Sequence, residues 1–335
     1  MARRSTLPFL AVLVVPMALG AQSFGDGPAF GGSRVFSEGY NPLGNSARFD
    51  QVPAGWYAAW EDGDAKARGF RTDSDALAQA VQAGDAAAAA AALLRLQETP
   101  SALRRTAYGL QYAATGGLRF AFGREELTGT LAGPALSAEA RRAEVDRLVA
   151  GAGSGDGGSA YGFTFRLERV RVGTSLLALA PDAALGFGTT DRRAWSLTSD
   201  AGFTTELTQG LRFGLTATRL IPRHFWDVYE RPQARAGFEL DLGESARLSV
   251  EGDLNEAARL PMPQGQKTLS SSLRISASPT VTLRLGAERR TVEGGAAATL
   301  AGVSVRIATA PLVLGLGFQF GDDRPQRALA VRLGG

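Results

Sequence analysis

Tyr161-Gly162-Phe163-Thr164-Phe165-Arg166-Leu167-Glu168 sets apolar residues at alternate positions and leaves Arg166 and Glu168 in the other phase. A period of two sends successive side chains to opposite faces of a strand. Leu211-Arg212-Phe213-Gly214-Leu215, Val281-Thr282-Leu283-Arg284-Leu285 and Val303-Ser304-Val305-Arg306-Ile307 repeat the pattern. The resulting sheet has one greasy face and one face carrying charges. A barrel in a bacterial outer membrane has that requirement, with lipid outside and water inside.

The chain opens Met1-Ala2-Arg3-Arg4, runs almost without polarity from Leu7 to Leu19, and then reaches small residues. These are the basic, apolar and cleavage regions of a secretion signal over residues 1–20, cut after Gly20 or, alternatively, Ala21. No other stretch approaches the ~18 apolar residues of a spanning helix. The remaining way across a bilayer is a closed barrel, whose backbone groups satisfy one another. The chain has no cysteine, which removes disulfides, a lipidated cysteine and thiolate metal sites. Its formal charge of +3 falls to about +1 without Arg3 and Arg4, so basicity gives no reason to expect a nucleic-acid partner.

Alternation bounded by turn residues predicts strands at 54–60, 106–114, 117–124, 159–168, 171–180, 194–206 and 211–220. It continues through 234–242, 246–254, 268–277, 280–289, 298–308, 311–320 and 327–333. The expected fold is all-β: an antiparallel transmembrane β-barrel of about 14 strands. The barrel occupies residues 54–335, with an N-terminal plug segment over 21–53. From residue 208 onward short turns alternate with the longer loops 221–233, 255–267, 289–297 and 321–326. Long loops face outside in such barrels, and parity then makes 181–193 an external loop as well.

Two helical external insertions are expected, near 74–98 and 137–150. The first, Asp75 to Glu98, is alanine-rich and breaks at Gly84, with Asp85 placed to cap its second half. The second, Ser137 to Val149, has Ser137 as N-cap and Val145, Leu148 and Val149 on one face. The glycine-rich run from Gly151 to Gly158 reads as a flexible linker.

The inward phase carries Arg119, Arg166, Glu168, Arg212, Glu239, Asp241, Glu251, Asp253, Arg274, Arg284, Glu288 and Arg306. They line a polar channel or form a structural network filling a closed lumen; mixed signs on neighbouring strands suit either. Trp56, Tyr57, Trp60, Tyr112, Trp195, Phe225, Trp226 and Tyr229 fall at or near strand ends, as interfacial girdles do. The one histidine, His224, has Asp227 nearby but no marked nucleophile such as a Gly-x-Ser-x-Gly. No spacing suggests zinc, a calcium loop or a phosphate-binding loop. A catalyst is not expected, nor is a cofactor or metal.

Phe30-Gly-Gly-Ser-Arg-Val35 followed by Tyr40-Asn41-Pro42-Leu43-Gly44 resembles the N-terminal segment of FadL-like outer-membrane proteins. There a small-residue run precedes Asn-Pro-Ala; here Leu43 takes the third place. Leu211–Leu220 with Arg231–Phe238, and Arg247–Asn255, are similar to hairpins of the same superfamily, closest to its TraF-like or PorV-like branch. The chain ends Val331-Arg332-Leu333-Gly334-Gly335, without the terminal aromatic usual in barrel assembly signals. The resemblance implies a 14-stranded barrel whose N-terminal segment plugs the lumen, with Asn41-Pro42 as the plug turn. It implies passive uptake of hydrophobic or amphipathic small molecules. The alternative it implies is a non-transporting barrel that anchors or assists a secretion or conjugation assembly. Partners are then outer-membrane lipid, a hydrophobic small-molecule ligand, or an envelope assembly protein.

The signal and the alternation together predict a heat-modifiable protein of the outer-membrane fraction, extracted by detergent and not by salt. Fractionation with heated and unheated electrophoresis checks this; recovery as a soluble periplasmic monomer contradicts it.

Overall fold

The structure, a computed structural model, describes residues 35–36, 45–51, 54–62, 72–73, 76–77, 79–97, 104–133, 137–156, 158–179, 185–260, 262–293, 297–309, 312–320 and 326–333. The signal region, Asn41 and Pro42 lie outside the described residues. After a 3-10 turn over Ser46–Gln51 come β1 (Gly55–Asp62), α1 (Ala86–Gln97), β2 (Arg104–Ala113) and β3 (Leu118–Gly133). Then follow β4 (Ser137–Asp156), β5 (Ser159–Leu179), β6 (Leu185–Thr208), β7 (Leu211–Thr218), β8 (Arg223–Phe225) and β9 (Val228–Glu230). The chain continues with β10 (Gln233–Asp241), β11 (Ala246–Asp253), β12 (Ala257–Arg259), β13 (Met262–Ser276) and β14 (Val281–Val292). It ends with β15 (Ala298–Thr309), β16 (Leu312–Phe320) and β17 (Gln326–Leu333).

All strands but β8 and β9 belong to one antiparallel sheet of 15, in which the three-residue β12 is an appendage of β13. Each of the other fourteen has a partner along both edges. The first strand pairs with the last, Trp56 opposite Leu333, and β11 pairs with both β10 and β13. Tight connections gather at one end, the lower: Thr115–Gly117, 209–210, 243–245 and 277–280. Trp56 and Tyr112 stack there at 4.9 Å. The upper end carries the connections 63–103, 219–232 and 254–261.

Several expectations are corrected, among them the loop 255–267, which holds β12 and the first six residues of β13. Ser137–Val149 is not a helix and Gly151–Gly158 is not a linker; β4 runs unbroken through both to Asp156. Helix propensity in this Ala/Arg/Glu-rich stretch yields to cross-strand partners, because propensity is only a weak prior. Arg141, Ala143, Val145 and Val149 are buried. On the opposite face Asp146 receives Arg124 at 2.7 Å and Arg169 at 2.5 Å. The segments 159–168 and 171–180 are one strand, β5, and most of the supposed loop 181–193 is the start of β6. The number of paired long strands is the expected fourteen, with β4 in place of the second half of a divided β5. The alanine-rich region does hold helix, with Gly84 at φ 71° and the Asp85 carboxylate accepting the Ala88 N–H at 2.9 Å.

One switch of polarity explains why β5 reads as two strands. Below it Phe163, Phe165 and Leu167 are exposed; above it Val170 and Val172 are buried and Arg169 and Arg171 point outward. The apolar phase changes face between Leu167 and Val170, and the same change occurs on β4 between Leu148 and Val145. Register makes the border a line across the sheet. Phe122, Leu148, Leu167 and Leu197 form its last apolar row, followed outward by Arg124, Asp146, Arg169 and Trp195. Strands β4, β5 and β6 have 20, 21 and 24 residues, against the ~9–11 that cross a bilayer. Strands β7, β10 and β11 have 8, 9 and 8. A wall thus rises on one side of the sheet, and its two faces exchange character at the border row.

Phe165→Arg, within the apolar band, is expected to cost about 2–4 kcal/mol of stability in a bilayer, whereas Arg171→Leu on the wall stays within about 0.5 kcal/mol. Equilibrium unfolding from lipid vesicles measures both; equal costs would remove the border.

Candidate functional site

The inner face is built around the N-terminal segment. Val35, Phe36, Asn45, Ser46, Ala47, Arg48 and Phe49 are all buried against the phase opposite the exposed apolar band. Strand glycines make room for them, as close backbone approach requires. A Cβ at Gly153 or Gly162 would collide with the Ser46 carbonyl, and one at Gly202 with the Asn45 amide oxygen. At Gly151 it would stand 2.8 Å from the Phe49 ring, and at Gly214 3.0 Å from Phe36. Gly153, Gly162 and Gly202 are register partners on β4, β5 and β6, so the bed is a continuous track.

Polar contacts then tie the segment across the sheet. The Asn45 amide donates to the Val35 carbonyl at 2.8 Å and to the Phe203 carbonyl at 3.3 Å. The Val35 N–H donates to Glu251 at 2.9 Å, and Arg48 lies 3.7 Å from Glu239. Arg119 donates to the Phe49 carbonyl and stacks on that ring at 5.6 Å.

Above the track lies an alternating cluster of charges. Glu168, fully buried, accepts from Arg147 at 2.7 Å and from Arg223. Arg147 also pairs with Glu125, Arg166 donates to Asp200 at 2.6 Å, and Arg223 donates to Glu230. Burial in low dielectric makes such pairs strongly coupled, and breaking one costs more than an exposed pair would. Several buried donors have no hydrogen-bond partner in the structure: Nε of Arg166, Nε of Arg223, and Nε and Nη1 of Arg219.

The β8–β9 hairpin packs against the wall at the upper end. Phe225 and Val228 pack with Ala258 and Leu260 onto Ala143, Val145, Val170 and Val172 of the wall. Its two-residue turn sets Trp226 at φ 57°, where glycine or asparagine is usual. That conformation costs a residue with a Cβ about 1–2 kcal/mol, and the ring is held by Phe225 at 6.1 Å and by Arg192 stacked at 5.8 Å. Asp227 accepts from Arg141 at 2.6 Å, and Glu230 accepts the Leu260 N–H at 3.0 Å. Burial pushes the Glu230 carboxyl upward, but Arg219 and Arg223 outweigh it and hold it below the ordinary carboxylate range. The Glu230 ion pair therefore persists at neutral pH and is lost only as acidity passes that lowered value.

The residues expected in the inward phase fall into these groups. Arg119 sits at the segment, Arg166 and Glu168 in the cluster under the hairpin. Arg212 pairs with Glu239 and with Asp241 at 2.9 Å. Glu251 and Asp253 share Arg235, at 2.6 and 2.8 Å. Arg274 stands in register between Arg247 and Arg284, Arg306 opposite Thr282, and Glu288 accepts from Arg290 at 2.8 Å. His224 is exposed with its ring edge 6.1 Å from Tyr229, while Asp227 is committed to Arg141, so the two do not form a catalytic pair. Asn45, Arg147, Arg223, Glu230 and Arg235 are central and escaped the sequence reading. A signal for the track was present: inward-phase glycines recur on four consecutive strands.

The fold is that of FadL-type channels. The toluene transporter TbuX of Ralstonia pickettii aligns at 10% identity over 95% of this chain and 98% of its own, with a TM-score of 0.57. A Pseudomonas aeruginosa FadL homologue aligns at 10% identity over 94% and 98%, TM-score 0.54. The monoaromatic hydrocarbon channel CymD does so at 10% over 94% and 96%, TM-score 0.53. No family model and no curated protein matches the sequence. These structures give no support to the TraF-like or PorV-like branch.

Gly162→Val should expel the segment, since overpacking of this kind costs about 1–3 kcal/mol and its neighbour is backbone. Trypsin is then expected to cut at Arg48 in a barrel that keeps its heat-modifiability; continued protection of Arg48 would show that the track does not hold the segment.

Proposed function

We propose that the fourteen doubly paired strands close a barrel in the bacterial outer membrane, reached by export with a signal cleaved after Gly20. The barrel is a passive channel for hydrophobic or amphipathic small molecules, with its N-terminal segment obstructing the lumen. The observation that carries this is the seating of residues 45–51 on a track of inward glycines. A barrel that needed only to be solid would fill that strip with side chains, as small barrels do; a strip of bare backbone is a bed for something separable. The upper end faces outside, because tight turns are periplasmic in such barrels. TbuX and CymD, of the same fold, are a toluene transporter and a hydrocarbon channel.

A second reading, the non-transporting anchor of a secretion or conjugation assembly, draws on the wall of β3–β6. Its outer face above the border is laced with Arg142–Glu126, Arg171–Asp191 and related pairs, a surface suited to water and protein. One experiment separates the two. Deletion of 22–46 is expected to raise solute flux in liposome swelling several-fold while the barrel remains heat-modifiable. Background permeability in a folded barrel would sink the channel and leave the anchor.

A further inference from the structure

We infer that the hairpin β8–β9 is a hinged lid over the upper mouth, latched to the wall by Arg223 on Glu168 and by Arg141 on Asp227. Its purpose rests on the channel reading above; its motion does not. The hairpin is a separate two-stranded sheet with no ladder to the main one, so opening it breaks none of the hydrogen bonds that hold the strands together. Its shoulders are fixed. Leu220 N–H donates to the Ser199 carbonyl and Arg219 N–H to Asp200, each at 2.8 Å. On the other side the Ala234 N–H donates to Asn255 at 2.8 Å, and Asn255 donates to the Pro232 carbonyl at 2.8 Å. Between those anchors every hydrogen bond to the rest of the described chain uses at least one side chain, among them the Thr198 hydroxyl on the Ile221 carbonyl at 3.1 Å and Glu230 on the Leu260 N–H at 3.0 Å.

Non-glycine residues occupy the left-handed region at the root of the hairpin, Arg219, and at its tip, Trp226, each at φ 57°. Such conformations persist only where surrounding contacts impose them, and they mark switch segments. What the lid covers is also specific. Val145 and Val170 lie one step above the border row and Ala143 and Val172 above those, buried under Phe225 and Val228 of the hairpin together with Ala258 and Leu260. With the hairpin swung away, an apolar strip on the wall's inner face becomes the approach to the charged cluster and the N-terminal segment. The latch is suited to release. Arg223 has two carboxylates, Glu168 on the wall and Glu230 on the hairpin itself. It therefore keeps a partner when it leaves the wall, and no uncompensated charge is stranded on the moving part.

The test uses the absence of cysteine from the natural chain. Val170→Cys is close to isosteric, and in the full-length protein it reports the covered strip to a membrane-impermeant maleimide added from outside. With the native hairpin, labelling is expected to be slow. Adding Arg223→Gln is expected to accelerate it roughly tenfold or more, as loss of a buried charge partner does, and Asp227→Asn, which breaks a half-exposed pair, by about two- to fivefold, with heat-modifiability kept. Labelling unchanged by both substitutions, or as fast with the native hairpin as at an exposed control cysteine, overturns the lid. Should Arg223→Gln prevent folding, Asp227→Asn decides, since the Asp227 side chain is 54% exposed and outside the buried cluster. Accelerated labelling alongside background permeability of the 22–46 deletion keeps the lid and removes the channel; the converse pair of results keeps the channel and removes the lid.

Discussion

A strand that outruns the bilayer meets two media on the same face, and its side chains must change places where one medium gives way to the other. If the chain spans the outer membrane as proposed, that constraint organises this molecule. On β5 the change falls at Glu168-Arg169, and the register carries it across β3, β4 and β6 as a line of Arg124, Asp146, Arg169 and Trp195. Below the line apolar side chains face outward and the interior is free to be polar. Above it the outer face needs charges and the inner face becomes greasy. An inner apolar wall standing in water cannot be left bare, because burial of such surface is worth about 25 cal/mol per Å². The short strands β7, β10 and β11 release loops at that height, and those loops fold onto it. The hairpin and β12 are thus a consequence of unequal strand lengths, before any function is asked of them.

The interior follows from the lower half of the same rule. Charges turned away from lipid must be matched at close range, and Glu168 with three neighbouring guanidiniums is the densest example. Matching of this kind gives specificity of arrangement more than net stability. It fixes Arg119, Glu239 and Glu251 in positions from which they hold the N-terminal segment by its backbone and by Arg48, beside the bonds made by the Asn45 side chain.

Legibility in the sequence tracked how long each phase persists. From residue 208 onward most strands are near the length of a membrane crossing and keep one phase, and their positions are readable from alternation and turns, apart from the three-residue β8, β9 and β12 and the early start of β13 at Met262. The long strands were not. A window over 159–180 sees two alternating runs out of step, which is also what two strands and a turn produce, so Glu168-Arg169 read as a break. In β4 the same slip brings Val145, Leu148 and Val149 to helical spacing, and an Ala/Arg/Glu composition completed the disguise. The inward charges were visible as residue types in one phase, but their pairing was not, since Arg223 and Glu168 are 55 residues apart. The hairpin's role was hidden for a plainer reason: three-residue strands carry too few positions for any period to show.

The glycine track has a consequence for how this chain can vary. At most core positions a substitution can shrink as well as enlarge the side chain, and neighbours drift to compensate. At Gly153, Gly162 and Gly202 every exchange adds atoms, and the facing groups are the backbone of Ser46 and the amide of Asn45. No change in the identity of Ser46 relieves a clash with its carbonyl. The strip is therefore frozen by the backbone lying on it, whatever side chain stands at position 46, while Asn45 and Phe49 stay bound by side chains of their own.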